Sequence, residues 1–270
     1  MTAEPVRGVA APDAGERRKA GFAPAFKAEV LKGRHAAPRK IALIAPLPFC
    51  LMGMLAGGVG GGGAIGAFST YGWNYWYALM MPIALALATA SIANIDARQK
   101  LRPVLGLPLP PASTWWAKVA YALALALGAN LVVLVASVVT GLLGGVVPSA
   151  AAGLGASVLL VAGSAWMVPA GLALTVRFGT LAGIAVPAVI QLGMGIALWT
   201  SPVWFLFPPA ATLCAVSPLV GVAPSGVPLE AGDPLGTFGW EAVLGLAVAV
   251  ALFAVLATLG AKWYSKREAR

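Results

Sequence analysis

The residues that could carry covalent or metal chemistry are few and poorly placed for it. The single histidine, His35, precedes the first apolar stretch at Ile41, so a general base at membrane depth has no histidine to supply it. The two cysteines, Cys50 and Cys214, stand far apart in or near apolar segments. That spacing builds neither a CxxC redox pair nor a thiolate metal cluster, and both read as small hydrophobes. Gly57, Gly58, Gly60, Gly61, Gly62 and Gly63 form a glycine-rich run of the kind that can cradle phosphate. A P-loop also needs a Lys followed by Ser or Thr, and the chain contains no Gly-Lys dipeptide. Close helix packing or a flexible outer loop accounts for the glycines instead. No catalytic residue, metal ligand or cofactor is assigned, and the chain reads as a non-enzyme.

The elements around these residues belong to a membrane protein. Hydrophobic residues make up 60% of the chain and charged residues 10%, with a mean hydropathy of +0.87. A bilayer core of about 30 Å needs about 20 apolar residues of helix to cross it. Six apolar windows meet that length, approximately Ile41 to Gly61, Tyr75 to Ile95, Trp115 to Val147, Ala151 to Val176, Phe178 to Thr200 and Gly239 to Ala261, uncharged except for Lys118 and Glu241 just inside the third and the last. They are continuously apolar rather than alternating, which predicts an all-α fold and not a barrel. The basic first 40 residues have no apolar h-region, so no cleaved targeting peptide is expected.

A net charge of +9 in a soluble protein would suggest nucleic acid, but the placement of the cations rejects that partner. Nine Lys and Arg lie between Arg7 and Lys40; Arg98, Lys100, Arg102 and Lys118 surround one loop, Arg177 sits in another, and Lys262, Lys266, Arg267 and Arg270 form the tail. With six crossings all of these fall on one side. The positive-inside rule then predicts cytoplasmic termini at both ends.

Along the chain, residues 1–20 read as a flexible cytoplasmic tail. In residues 21–40, Phe22, Phe26 and Val30 recur every fourth position with Leu31 beside them, while Lys27, Glu29, Lys32 and Arg34 take other faces. This predicts an amphipathic helix at the inner membrane surface with its cations near anionic headgroups; a topogenic basic stretch that happens to be helical is the alternative. A transmembrane domain follows over 41–262, and a short tail over 263–270. Trp73, Tyr75, Trp76 and Tyr77 are placed at the outer interface, where amphipathic rings favour headgroup depth. The loop 96–118 adds Leu101, Val104, Leu105, Leu107 and Leu109 to its cations, more apolar surface than a topogenic loop needs, so either a docked partner or an interfacial hairpin covers it. The stretch 201–238 is outer and Pro-rich. Its opening run, from Ser201 to Ala210, is too apolar for water, which predicts a re-entrant or interfacial hairpin covered by protein. No ionisable residue is expected near mid-depth in any span, which argues against ion-coupled transport.

Three stretches together resemble the permease subunits of ABC-2 type transporters, and among them the lantibiotic immunity and bacitracin-like efflux permeases. They are Phe26-Lys-Ala-Glu-Val-Leu-Lys32, the run from Asp96 through Leu107-Pro108 to Trp115-Trp116-Ala-Lys118, and Pro202-Val-Trp204 through Pro224-Ser-Gly-Val-Pro228. The resemblance implies a type V exporter-like domain of six transmembrane helices preceded by the interfacial helix, in a bacterial plasma membrane. It implies that Asp96, Arg98, Lys100, Arg102, Val104, Leu105 and Leu107 couple to a separate ATPase. Phe22, Phe26, Lys27, Glu29 and Val30 would form the interfacial helix, and Trp204, Phe205, Pro208, Pro209 and Gly226 the outer loop. Implied partners are two cytoplasmic ATPase subunits, which would hold ATP and magnesium, a second permease chain, membrane lipid, and a peptide or lipophilic drug as substrate. An ATP-independent secondary transporter or channel is the competing reading.

Overall fold

A computed structural model describes residues 21–59, 64–98, 110–144 and 148–268, and among these every regular element is helical. In chain order the helices are α1 (Phe22–Lys32), α2 (Ala37–Ile44), α3 (Leu47–Val59), α4 (Ala64–Phe68), α5 (Met81–Arg98), α6 (Pro111–Leu143), α7 (Ala150–Ser164), α8 (Met167–Phe178), α9 (Thr180–Leu198), α10 (Pro208–Val220) and α11 (Trp240–Glu268). Five helical stretches are long and apolar enough to cross a membrane: Ala37–Gly57, Gly66–Asp96, Pro111–Leu143, Thr180–Leu198 and Trp240–Lys266. A sixth is made by α7 and α8 taken together across a 41° bend. Each of the six windows overlaps one of these spans. This is the architecture of a multi-pass membrane protein.

The breaks have local causes. Pro169 brings no N–H to the carbonyl of Ala165, which is bonded instead by Val168 N at 3.0 Å, and the chain bends between α7 and α8. Pro46 falls in the short interruption between α2 and α3. Between α4 and α5 the helix widens into two π-helical turns, Ser69–Asn74 and Trp76–Met80. These turns bury Trp73, Trp76 and Tyr77 against protein, and of the four aromatic residues only Tyr75 is exposed. Burial of Trp76 has a chemical reason: its indole N–H donates to Asn130 Oδ1 at 2.8 Å, so its polar tip is satisfied without water.

The stretch 201–238 folds as a 3-10 turn, Trp204–Leu206, followed by α10 and a tight loop. At 13 residues α10 is roughly 20 Å long, too short to cross the bilayer core. Protein covers it, because it packs against α7, α9 and α11 and is buried from Pro209 to Ser217. Pro208 and Pro209 suit its first turn, where their missing N–H groups have no helical partner to lose. Two apolar clusters fill the bundle. One surrounds Trp76, Val133, Leu160 and Leu213; the other surrounds Trp115, Tyr121, Met167 and Tyr264.

Candidate functional site

Glu29 and Lys32 stand three residues apart on α1, one helical turn, so both face the same neighbour. Opposite them are Asp96, near the end of α5, and Lys118, in the second turn of α6. Lys32 Nζ donates to Glu29 Oε1 at 2.6 Å and to Asp96 Oδ1 at 3.0 Å. Lys118 Nζ donates to both Glu29 carboxylate oxygens at 3.3 Å and to Asp96 Oδ2. Glu29 and Asp96 are each only 2% exposed and Lys118 4%. Two ammonium groups and two carboxylates thus form a closed, neutral quartet, the arrangement that burial of charge demands. Burial on its own would lower the Lys32 pKa from 10.5, but Glu29 and then Asp96 outweigh it and hold the value above that of a free lysine.

Neighbouring contacts extend the joint. Arg39 donates from Nε to the Tyr121 hydroxyl at 3.2 Å and from a terminal nitrogen to the Val30 carbonyl at 3.1 Å, tying α2 to α6 and α1. Gly33, at the end of α1, meets the same tyrosine so closely that a Cβ would run into its hydroxyl. Asn94 donates to Thr180 Oγ1 at 2.8 Å, and Trp115 packs on Tyr264 with ring centroids 5.7 Å apart. Lys40, Lys118, Arg177 and Lys262 therefore gather at one end of the bundle, the basic end.

The interfacial reading of α1 needs one correction. Phe22, Lys27 and Leu31 are exposed, and Phe26 and Val30 pack on the Trp115 cluster, but Glu29 points into the protein because two lysines await it there. Of the loop residues assigned to coupling, Asp96 belongs to the quartet. Lys100, Arg102, Val104, Leu105 and Leu107 lie outside the described residues, as does the side chain of Arg98. The quartet holds the two flanks of that loop, Asp96 and Lys118, to α1.

The residues assigned to the outer loop form a separate group at the opposite end of the bundle. Phe205 contacts Trp204 edge-on at 6.1 Å and Trp240 at 5.5 Å. Pro208 opens α10. The Pro209 carbonyl accepts from Gln191 Nε2 at 3.5 Å, and Gln191 Oε1 accepts from the Trp166 indole at 3.1 Å. Gly226 adopts φ +87°, a left-handed conformation glycine takes without strain, and its carbonyl accepts from Thr70 Oγ1 at 2.9 Å. Asn74 Nδ2 donates to the Ala223 and Pro224 carbonyls at 3.0 and 3.2 Å, fastening the same turn to the π-helical segment.

From the sequence, Lys32 reads as a headgroup-facing cation of α1, Lys118 as a cation flanking the loop and Asn130 as an interhelical packing group, and nothing singles out Thr70 or Asn74. One signal for the quartet was available: Glu29 and Asp96 are the only carboxylates between Glu16 and Glu230, and Lys118 stands beyond the Trp115-Trp116 pair inside an apolar helix. Among the described residues no three His, Cys, Asp or Glu come close enough to hold a metal ion. Comparison with protein families, with curated proteins and with solved structures gives no match to this chain.

Proposed function

We propose that this chain is the membrane-spanning subunit of an ATP-driven exporter of the ABC-2 permease class, acting with two separate ATPase chains and a second permease chain. Its substrate is an amphipathic antimicrobial peptide or a lipophilic drug taken from the membrane. The basic end faces the cytoplasm of a bacterium and receives the ATPases, which bring ATP and magnesium. The observation that supports this reading best is the quartet. It makes α1, the end of α5 and the start of α6 one block, so a push on the loop between Asp96 and Lys118 is carried to the interfacial helix and two spans together. No covalent step falls to this chain; its role is mechanical, a rocking of helices that alters an apolar cavity towards the outer leaflet.

The test is purification of the chain in nanodiscs after expression with its genomic neighbours, with intact-complex mass spectrometry to count subunits. A co-purifying P-loop protein in a two-plus-two assembly supports the proposal. A chain that purifies without an ATPase and moves solute unaided refutes it and favours ATP-independent secondary transport or a channel. That second reading draws on the same quartet, since buried ionisable groups serve ion-coupled carriers. It ranks second because Asp96 and Lys118 stand near helix ends, not at mid-depth, and are fully paired.

A further inference from the structure

The outward side of α3 and α6 carries an apolar groove of about 580 Å³, lined by Ile44, Leu47, Leu51, Met54, Val132 and Ala136 among others. That volume lies within the range of small-molecule sites, roughly 300–1,000 Å³. At a helical rise of 1.5 Å per residue, Met54 stands roughly 15 Å beyond Ile44, about half the thickness of a bilayer core. The groove is thus as long as one leaflet is deep.

Its shallow end meets a cationic corner. Lys40 lies on α2 four residues before Ile44, on the same helix face, and is exposed. Lys27 on α1 and Arg34 in the turn before α2 are exposed as well. No exposed carboxylate offsets them among the described side chains of this end, because Glu29 and Asp96 are both enclosed by the quartet. The exposed charge of the described side chains at this end is thus of one sign, and Lys40 stands one helical turn from the mouth of an apolar slot.

We propose that α2, α3 and α6 form a binding site for an anionic phospholipid, with its phosphate at Lys40 and one acyl chain along the groove. Charge complementarity favours this occupant over a second copy of the chain. A two-fold contact about an axis along the membrane normal would set two such cationic corners at the same depth, facing each other. An acidic soluble protein could meet the corner but not fill a slot at membrane depth. The site is independent of the transport reading.

The experiment uses the full chain in nanodiscs of equal phosphatidylglycerol and phosphatidylcholine with matched acyl chains, released gently and weighed intact with its retained lipid. Wild type keeps phosphatidylglycerol in preference. Lys40→Gln lowers that preference roughly fivefold, the factor corresponding to the attraction of one cation near an anionic surface, and Lys40→Arg keeps it. Leu47→Trp, which fills the groove, reduces retention of both lipids; an unchanged melting temperature in each variant certifies the fold. Equal retention of the two lipids by wild type, an unaltered ratio in Lys40→Gln, or undiminished retention in Leu47→Trp would overturn the site. So would a disulfide between two copies carrying Leu51→Cys in vesicles, which would identify the groove as a contact between chains.

Discussion

Removing the Lys118 ammonium by Lys118→Met is the sharpest perturbation of the basic end. The substitution roughly keeps the length and apolar stem of the side chain, so packing against α1 changes little. What is lost is the donor that meets both Glu29 oxygens and Asp96 Oδ2, leaving two buried carboxylates to share Lys32. Breaking a buried ion pair from one side costs about 3–5 kcal/mol. The cost is borne first by the least anchored partner, α1, whose detachment relieves the excess charge without unfolding the spans. At 1.4 kcal/mol per factor of ten, opening of α1 becomes roughly two to four orders of magnitude more frequent. Amide hydrogen exchange of Phe26 to Lys32 in nanodiscs reads this directly. The double variant Lys118→Met with Asp96→Leu leaves the Lys32–Glu29 pair, 2.6 Å apart, as a neutral remainder, so it recovers much of the protection. Exchange in the single variant within threefold of wild type, or a double variant that opens more readily than the single, would refute the reasoning that the quartet is held by mutual charge neutralisation.

Other consequences follow from the same contacts. Asn74→Ala removes the donor to Ala223 and Pro224 and loosens the outer turn, so backbone exchange at residues 223–229 rises at least tenfold while the basic end is unchanged. Gly260→Ala places a methyl against the Trp115 indole, itself fixed by its bond to the Ala257 carbonyl, and overpacking of this kind costs about 1–3 kcal/mol, read as a lower melting temperature in detergent. Lys32 has a folded pKa above its ordinary 10.5, so its contribution is complete below pH 10.5 and is lost as pH rises through the folded value. Wild-type α1 therefore loses exchange protection above pH 10.5 by a step that Lys32→Met does not show.

The spans were legible because their signal is local. An uncharged apolar window of 20 residues bounded by cations or prolines has few ways to fold in lipid, and α6 begins at Pro111 where proline suits a helix start. Residues 208–220 were less legible. Their prolines and short length suit a loop as well as a buried helix, and only burial against α7, α9 and α11 decides for the helix. Burial of the aromatics at 73–77 was illegible for a similar reason: a tryptophan with a buried amide partner and an exposed one look alike in sequence, and Asn130 is 54 residues away from Trp76.

The quartet was illegible by distance as well, with Glu29, Asp96 and Lys118 on three different helices, yet its net charge carries a physical consequence. Buried ion pairs often add little stability over well-packed apolar residues. What they impose is register: α1 can slide by a turn along an apolar face at modest cost, but a slide here would part Glu29 from Lys118 and Lys32 from Asp96, leaving each buried charge with a single partner in a medium that solvates it poorly. Enclosing Glu29 and Asp96, the only carboxylates of this end among the described side chains, leaves the exposed charge of those side chains with one sign. Fixing α1 and leaving the exposed charge of this end cationic are thus two results of one arrangement, since a carboxylate held at Lys32 and Lys118 is a carboxylate withheld from the surface that carries Lys27, Arg34 and Lys40.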